Sequence, residues 1–457
     1  MTQLYHPSIY DFDQAVPSYW EATAPPHETY APLQGDERCD VAVIGGGYTG
    51  LSTALHLARD YGVDVRVLEA GHIGWGASGR NGGFCCLPAT KLSVAQMIKR
   101  YGLEETKRFY AAQLEGMELV RALGDDEGID YERCGNGNLL VAHMPARFKE
   151  LEDYAETLSR HFGIKTKLYS KQEFAELGHD STEQFGAMHM AAGFALHPLK
   201  FAMGLGRAAA RRGARLHAHS RVTAWRREGG EHHLVTAGGS LRARRVVMAT
   251  NGFMPEGLHP AFDGLVLPAL SNIVTTRPLS DEELAAQGWR TGTTFTETPV
   301  CNTRELLFYY RLLPDRRLLF GARGDTTGRP QEGERMRAWL TRRLGEVFPQ
   351  WKNVPSSHFW RGLVCLTLKL APSLGRLEDD PSVWYGFAYH ANGVNSAPWT
   401  GMILARLMAG SNSGAPSGTR ALPGVVAGLP RRIPLPALRL WGLRAAYLYY
   451  RYRDDKA

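Results

Sequence analysis

The sequence predicts an α/β fold: a Rossmann-like dinucleotide-binding domain on a mainly parallel sheet, interleaved with an α+β domain on an antiparallel sheet. Three observations carry this prediction. A βαβ unit with a glycine fingerprint opens at Val41. A second apolar strand, Arg245-Val-Val-Met-Ala-Thr250, returns much later and runs into a turn of small residues, Ala249-Thr-Asn-Gly252. Between and after them lie strand and hairpin patterns that carry no phosphate-type motif.

The fingerprint comes first. Val41-Ala-Val-Ile44 reads as a strand buried on both faces. Gly45, Gly47 and Gly50 follow at GxGxxG spacing, with Tyr48 and Thr49 inside the turn, and Ala54, Leu55, Leu57 and Ala58 give a short apolar helix. The next strand, Val63 to Leu68, ends at Glu69, an acid at about the 20-residue offset of a dinucleotide site. Gly45 permits the tight turn, Gly47 lets a pyrophosphate approach the backbone, and Gly50 lets helix and strand pack closely. The helix N-terminus then presents N–H groups and a positive dipole end to phosphate. Glu69 accepts hydrogen bonds from a ribose diol, which favours NAD or FAD over a 2′-phosphorylated cofactor.

The remaining elements follow in order. Residues 1–37, with Pro17, Pro25, Pro26 and Pro32 and with Tyr19, Trp20 and Tyr30, read as an extended arm on the body, with Trp20 packed. Gly74-Trp-Gly-Ala-Ser-Gly-Arg-Asn-Gly-Gly83 has neither period and suits a backbone passing close to a flat or phosphorylated ligand. Helices are predicted over 92–123, 147–162, 171–177, 199–212, 331–346 and 397–408. Strands are predicted over 139–143, 215–218, 221–225, 233–236, 360–370 and 383–389, with a hairpin of 305–311 and 317–321 around Pro314 and Asp315. The resulting segments are the arm, nucleotide-domain parts at 38–96, 196–268 and 356–410, second-domain parts at 97–195 and 269–355, and a tail at 411–457. The tail ends in a basic aromatic stretch. It is expected to pack on the body or a partner, with contact to a membrane surface as the less favoured use.

Composition bounds the function. A chain of 457 residues, 44% hydrophobic and 22% charged, is ordinary globular protein with room for two domains. The net charge of +7 suits anionic ligands or simple solubility and does not argue for nucleic acid. No apolar run reaches transmembrane length and Met1 to Gln14 lacks signal-peptide character, so a cytoplasmic location is expected. The six cysteines, including the adjacent pair Cys85-Cys86, form no metal or redox spacing, and no metal is expected.

The fingerprint at 41–50, Glu69, the run at 74–83, Ala249-Thr-Asn251 and the turn Tyr389 to Val394 resemble the D-amino-acid oxidase superfamily of FAD enzymes over most of residues 38–410. The run at 74–83 is most similar to γ-glutamylputrescine oxidases. The resemblance implies noncovalent FAD held by Gly45, Gly47, Tyr48, Thr49 and Gly50 at the pyrophosphate and Glu69 at the ribose. Val222 would lie by the adenine, and Ala77, Ser78, Arg80, Asn81, Gly82 and Gly83 near the diphosphate and ring. Ala249, Thr250 and Asn251 would cover the middle of the cofactor, with Asn392, Gly393 and Val394 at the pyrimidine end of the flavin, where a helix start favours reduction.

The implied reaction is oxidation of a C–N bond of an amine or amino acid. Hydride passes to flavin N5, and the resulting imine hydrolyses. Oxygen is the expected acceptor, with an electron carrier such as a quinone, or a noncatalytic FAD-binding subunit, as alternatives. Candidate catalytic residues are Arg80, which aligns with a carboxylate-binding arginine of sarcosine oxidases, and Arg311, with Arg323 on the same hairpin. Tyr309 and Tyr310 must face opposite ways, so one of them walls the pocket, and Tyr310 is chosen. His390 reads equally as a pocket or a packed residue. Leu319 takes the place of an oxygen-activating lysine of sarcosine oxidases, with Lys369 as a possible substitute. Cys365 lies near a family site of flavin attachment but out of register with it.

Overall fold

A computed structural model of the chain describes residues 3–410 and 422–456. The glycine-, proline- and serine-rich start of the tail, 411–421, lies outside them. Two eight-stranded sheets organise the molecule.

Across the first sheet the strands run Ser373–Arg376, Val383–Phe387, Gly239–Met248, Gly35–Ile44, Val65–Leu68 and Arg215–His217. All these neighbours are parallel except the first pair. A hairpin of Ala224–Glu228 and Glu231–Val235 is appended antiparallel to Gly239–Met248. The central strand is apolar and buried over Val41–Ile44, where both its faces are covered. Val41 and Val43 meet the helices Tyr48–Tyr61, Pro198–Arg211 and Gly393–Gly410 through Leu51, Leu55, Phe201, Leu205, Leu404 and Met408. Ala42 and Ile44 meet Val246, Met248, Phe262 and Tyr385 on the other side.

The second sheet runs Ser356–Leu366, Leu267–Thr276, Leu318–Arg323, Phe308–Leu312, Val300–Asn302, Asn138–Val141, Ala187–Met190 and Thr166–Tyr169. It is antiparallel apart from the pairing of Val300–Asn302 with Asn138–Val141. Helix Pro330–Val347 covers one face through Leu340 and Leu344, which share a core with Tyr310 and Phe320.

Several expected elements shift. The strand expected at 360–370 is Ser356–Leu366, and it pairs with Leu267–Thr276 in the second sheet, not with the nucleotide-binding sheet. The strand expected at 221–225 begins at Ala224, which leaves Val222 in a loop. The helix expected from Ala397 begins at Gly393 and continues through Pro398. Helices at 171–177 and 145–162 sit where amphipathic spacing places them, the first with a Ser170/Glu173 capping box. The N-terminal arm holds a short helix, Tyr19–Thr23, and Trp20 is fully buried, with its indole N–H donating to the Asn81 carbonyl at 2.9 Å. The tail helix Arg439–Lys456 packs Leu443 and Tyr447 beside Ala269, and the Asp454 carboxylate accepts from the Glu305 and Leu306 N–H groups. Among the described residues no helix is long and apolar enough to cross a membrane.

Candidate active site

A cavity of about 410 Å³, in the size range of small-molecule sites, lies at the carboxyl ends of the parallel strands and reaches the second sheet. At one end it is lined by Gly45, Gly47, Tyr48, Thr49, Glu69, Ala77, Ser78 and Val222; Ala249, Thr250 and Asn251 lie along its middle.

The local reasons are physical. Gly45 has φ +112°, and a Cβ there would stand 2.8 Å from the Ala249 carbonyl oxygen. A Cβ on Gly47 would stand 2.8 Å from Ser78 Oγ. Gly47 is the N-cap of the fingerprint helix and supplies no side-chain cap, so the helix keeps N–H groups for a ligand. Tyr48 N–H donates to Ser78 Oγ at 2.9 Å, which fixes the 74–83 run over that turn. Glu69 is buried; its Oε2 accepts from Gly46 N–H at 2.5 Å and its Oε1 from Gly71 N–H at 3.0 Å. Burial pushes its carboxyl up, against the pull of those backbone donors.

Arg80 is buried over the Trp75 ring, 3.8 Å to its centroid, with Nε donating to the Trp75 carbonyl. Its Nη2 has no hydrogen-bond partner, and burial pulls the guanidinium pKa down. Asn81 donates through Nδ2 to the Ala77 and Ser78 carbonyls and accepts from Gly83 N–H, so it shapes its own loop. Ala388, His390 and Ala391 all have positive φ, a conformation that side chains disfavour and that functional turns retain. Asn251 Oδ1 accepts from Ala388 N–H, and Asn392 Nδ2 donates to the Pro88 carbonyl, holding that turn from both sides. Asn392, Gly393 and Val394 line the cavity there.

The far end is built from side chains of several segments. Lys91, Tyr309, Arg323 and His390 line it, with Asn138, Cys301 and Asn302. Burial, then the nearby Arg323 charge, pulls the Lys91 ammonium down to about 7. Neither Lys91 nor Arg323 has a carboxylate within ion-pair distance among the described residues, and Arg323 Nη2 is buried without a partner. His390 is held near 3 by burial and then by the two cations, so it is neutral, and its Nδ1 has no partner. Tyr309 OH shares a 2.8 Å hydrogen bond with Ser271 Oγ.

Three expected catalytic residues are not in this cavity. Strand alternation sends Tyr309 to it and turns Tyr310 to the opposite face, where its hydroxyl pairs with His179 Nε2 at 3.0 Å. Arg311 is fully buried and donates to the Gly82 and Leu196 carbonyls at 3.1 and 2.7 Å, so it props the glycine run from behind. Lys369 Nζ donates to the Ala427 and Gly428 carbonyls and ties the tail to the body. Gly50 and Gly83 serve packing: a Cβ on either would collide with a carbonyl, of Gly45 and of Leu196 respectively. Lys91 is the residue that sequence reasoning missed, because it follows the glycine run without motif or period. Cys365 faces the cavity, and burial pushes its thiol up.

The fold and this cavity define a flavin-type dinucleotide enzyme, and comparison with known proteins gives its class. Residues 40–407 match the DAO family, described as FAD dependent oxidoreductase. The chain is 33% identical over 403 residues to gamma-glutamylputrescine oxidoreductase of Escherichia coli (strain K12), covering 86% of this chain and 89% of that protein. It is 30% identical to the probable oxidoreductase OrdL of Rhizobium meliloti (strain 1021), covering 87% and 89%. In structure it is similar to glycine oxidase from Geobacillus kaustophilus, with a TM-score of 0.67 at 24% identity, covering 81% and 94%. It is also similar to L-proline dehydrogenase from P. horikoshii, with a TM-score of 0.65 at 21% identity, covering 86% and 98%. The chain belongs to the DAO family of FAD-dependent oxidoreductases. The residues present fit FAD: a helix N-terminus with a glycine N-cap, a glycine turn that a Cβ would fill, and a buried acid at the end of the second strand line one cavity.

Proposed function

We propose that the protein oxidises the C–N bond of an amine or amino acid that also carries a carboxylate, a substrate of the γ-glutamylputrescine type. The observation that carries this reading is the pair Lys91 and Arg323, two basic side chains facing the cavity with no carboxylate within ion-pair distance among the described residues. Relatives support the amine: the names gamma-glutamylputrescine oxidoreductase and glycine oxidase belong to proteins aligned over most of the chain.

In this reading Gly45, Gly47 and the N-terminus of the fingerprint helix hold the pyrophosphate. Glu69 holds the ribose, Val222 lies against the adenine, and Gly393 and Val394 meet the flavin. Ala77, Ser78, Arg80 and Asn81 form the wall along the diphosphate. In this reading the cofactor is held without a covalent bond, and burial pushes the Cys365 thiol up, away from the thiolate form. When bound, FAD accepts the hydride equivalent from the carbon next to the amine nitrogen. The chain's own work is orientation. Lys91 and Arg323 anchor the anionic end, Tyr309 walls the channel, and neutral His390 accepts a hydrogen bond without repelling a substrate amine.

Two acceptors are open to this site. The Lys91 ammonium favours oxygen, because a cavity cation stabilises charge passing to it. The fully buried Leu319, packed beside Trp20 and Trp360, favours an electron carrier, because no cation stands at that position. Anaerobic mixing with carboxylate-bearing amines tests the reading. It should bleach the flavin, and admitting air should give peroxide if oxygen is the acceptor. Bleaching without peroxide means a carrier. No bleaching by any such amine would remove the proposal.

A further inference from the structure

Away from the cavity, the N-terminal arm and the loop after Glu69 bring two imidazoles and a carboxylate together. Glu21 lies in the short helix capped by Ser18, His27 just beyond that helix, and His72 three residues after Glu69. Glu21 Oε2 lies 2.8 Å from His27 Nε2, and Glu21 Oε1 lies 3.1 Å from His72 Nε2. The two imidazole rings stand 3.8 Å apart, centre to centre. All the ligand atoms fall within 4.8 Å of one another.

The surroundings of His72 make this more than a polar cluster. Its Nδ1 lies 3.1 Å from the Ile73 carbonyl oxygen, which only accepts, so Nδ1 carries the proton and donates. That leaves Nε2 turned toward the Glu21 carboxylate, 3.1 Å from Oε1. Nε2 is shielded from solvent and makes no hydrogen bond of acceptable geometry. A backbone carbonyl fixing the far nitrogen of a histidine is the usual support of a metal-bound imidazole.

We infer that Glu21, His27 and His72 form a zinc site that clips the N-terminal arm to the loop bordering the cofactor cavity. Two imidazole nitrogens and one carboxylate oxygen are a borderline N/O set suited to Zn²⁺. Tetrahedral bonds to zinc space the ligand atoms by about 3.3 Å, and one ligand atom from each of the three residues lies within 4.8 Å of the others, so modest side-chain adjustment brings the set around one ion. The side chains of Glu21 and His72 are 16% and 14% exposed and that of His27 29%, which leaves an approach for the ion and a place for water as the fourth ligand. The clip would act on the cofactor environment, because the arm it fastens supplies Leu4, Tyr10 and Phe12 to the cavity wall and holds Asn81 through Trp20. The inference is independent of the substrate reading.

The test uses the untagged full-length holoprotein, stripped with a chelator, equilibrated with micromolar Zn²⁺ and desalted. Elemental analysis should find about one zinc per chain, and added Zn²⁺ should raise Tm by a few degrees. Zinc X-ray absorption should show two imidazoles with oxygen ligands. His27→Ala and His72→Ala should each abolish retention while the flavin absorbance stays that of the parent. Wild-type protein that retains no zinc and shows no Tm shift would overturn the site, leaving a histidine–glutamate network without a metal. Retention that survives both substitutions would overturn it too, and the wild-type measurement decides even if a variant fails to fold.

Discussion

The two ends of the cavity are built in opposite ways. The end at Gly45, Gly47 and Glu69 is backbone: a turn, an uncapped helix start and an acid, all within one stretch of chain. The end at Lys91, Tyr309, Arg323 and His390 is side chains, drawn from the loop after the glycine run, the Phe308–Arg323 hairpin of the second sheet and the turn after Val383–Phe387. The first kind of site depends on shape and tolerates almost no added atom. The second depends on charge and can be retuned one residue at a time. In our reading the first holds the cofactor and the second chooses the substrate.

The largest effect should come from the backbone end. Gly45→Ala adds a Cβ at φ +112° and 2.8 Å from the Ala249 carbonyl oxygen. We expect a folded protein by circular dichroism that is colourless as purified and recovers little flavin absorbance with added FAD. Activity should fall by at least about 100-fold, the scale of a few kcal/mol of lost binding. A fully yellow, active variant would break the comparison at its firmer end.

At the other end, Arg323→Met and Lys91→Met should each raise KM for a carboxylate-bearing amine by about 10–100-fold with a smaller change in kcat, since each removes one charge-assisted contact. Amines without a carboxylate should show almost no change, and equal losses on both substrates would remove the anionic anchor. The same anchor has a pH signature. Lys91 is cationic only below about 7, so its help to an anionic substrate is present at lower pH and lost as pH rises through that value. The falling limb of kcat/KM should therefore vanish in Lys91→Met, in which no lysine titrates.

The asymmetry also explains what could be read in advance. The fingerprint, Glu69 and the small-residue turn at 249–251 were legible because each is fixed by local geometry, and local geometry leaves a spacing. Which of Tyr309 and Tyr310 faces the cavity depends on which face of the sheet helix Pro330–Val347 covers, and no period within the strand contains that. Lys91 has no pattern at all, since its role comes from where the chain passes after the glycine run. Arg311 misled for the same reason: an arginine on a pocket-forming hairpin is the natural anchor until the pleat turns it toward the Gly82 and Leu196 carbonyls. The placement of Ser356–Leu366 failed because sheet partnership is long-range and an apolar strand suits either sheet.

A smaller test compares adjacent tyrosines. Tyr310→Phe removes the hydroxyl bonded to His179 and should cost about 0.5–1.5 kcal/mol of stability, read as a lowered denaturation midpoint, with kinetics unchanged. Tyr309→Phe should do the reverse, shifting KM a few-fold while the denaturation midpoint hardly moves.

The smallest kinetic effect is expected at Lys369. Its ammonium is pulled down to about 7 by burial alone, which by itself would suit a group that activates oxygen. Geometry points elsewhere: Nζ donates at 2.6 and 3.2 Å to the Ala427 and Gly428 carbonyls, and the residue does not line the cavity. A perturbed lysine is thus no guide to chemistry when its partners already account for it. Lys369→Gln keeps an N–H donor at that position, so stability should fall only modestly, while flavin reduction by substrate and reoxidation in air should match the parent. A reoxidation rate that collapses in Lys369→Gln, with reduction intact, would place this lysine back in the chemistry and shift the oxygen question away from Lys91.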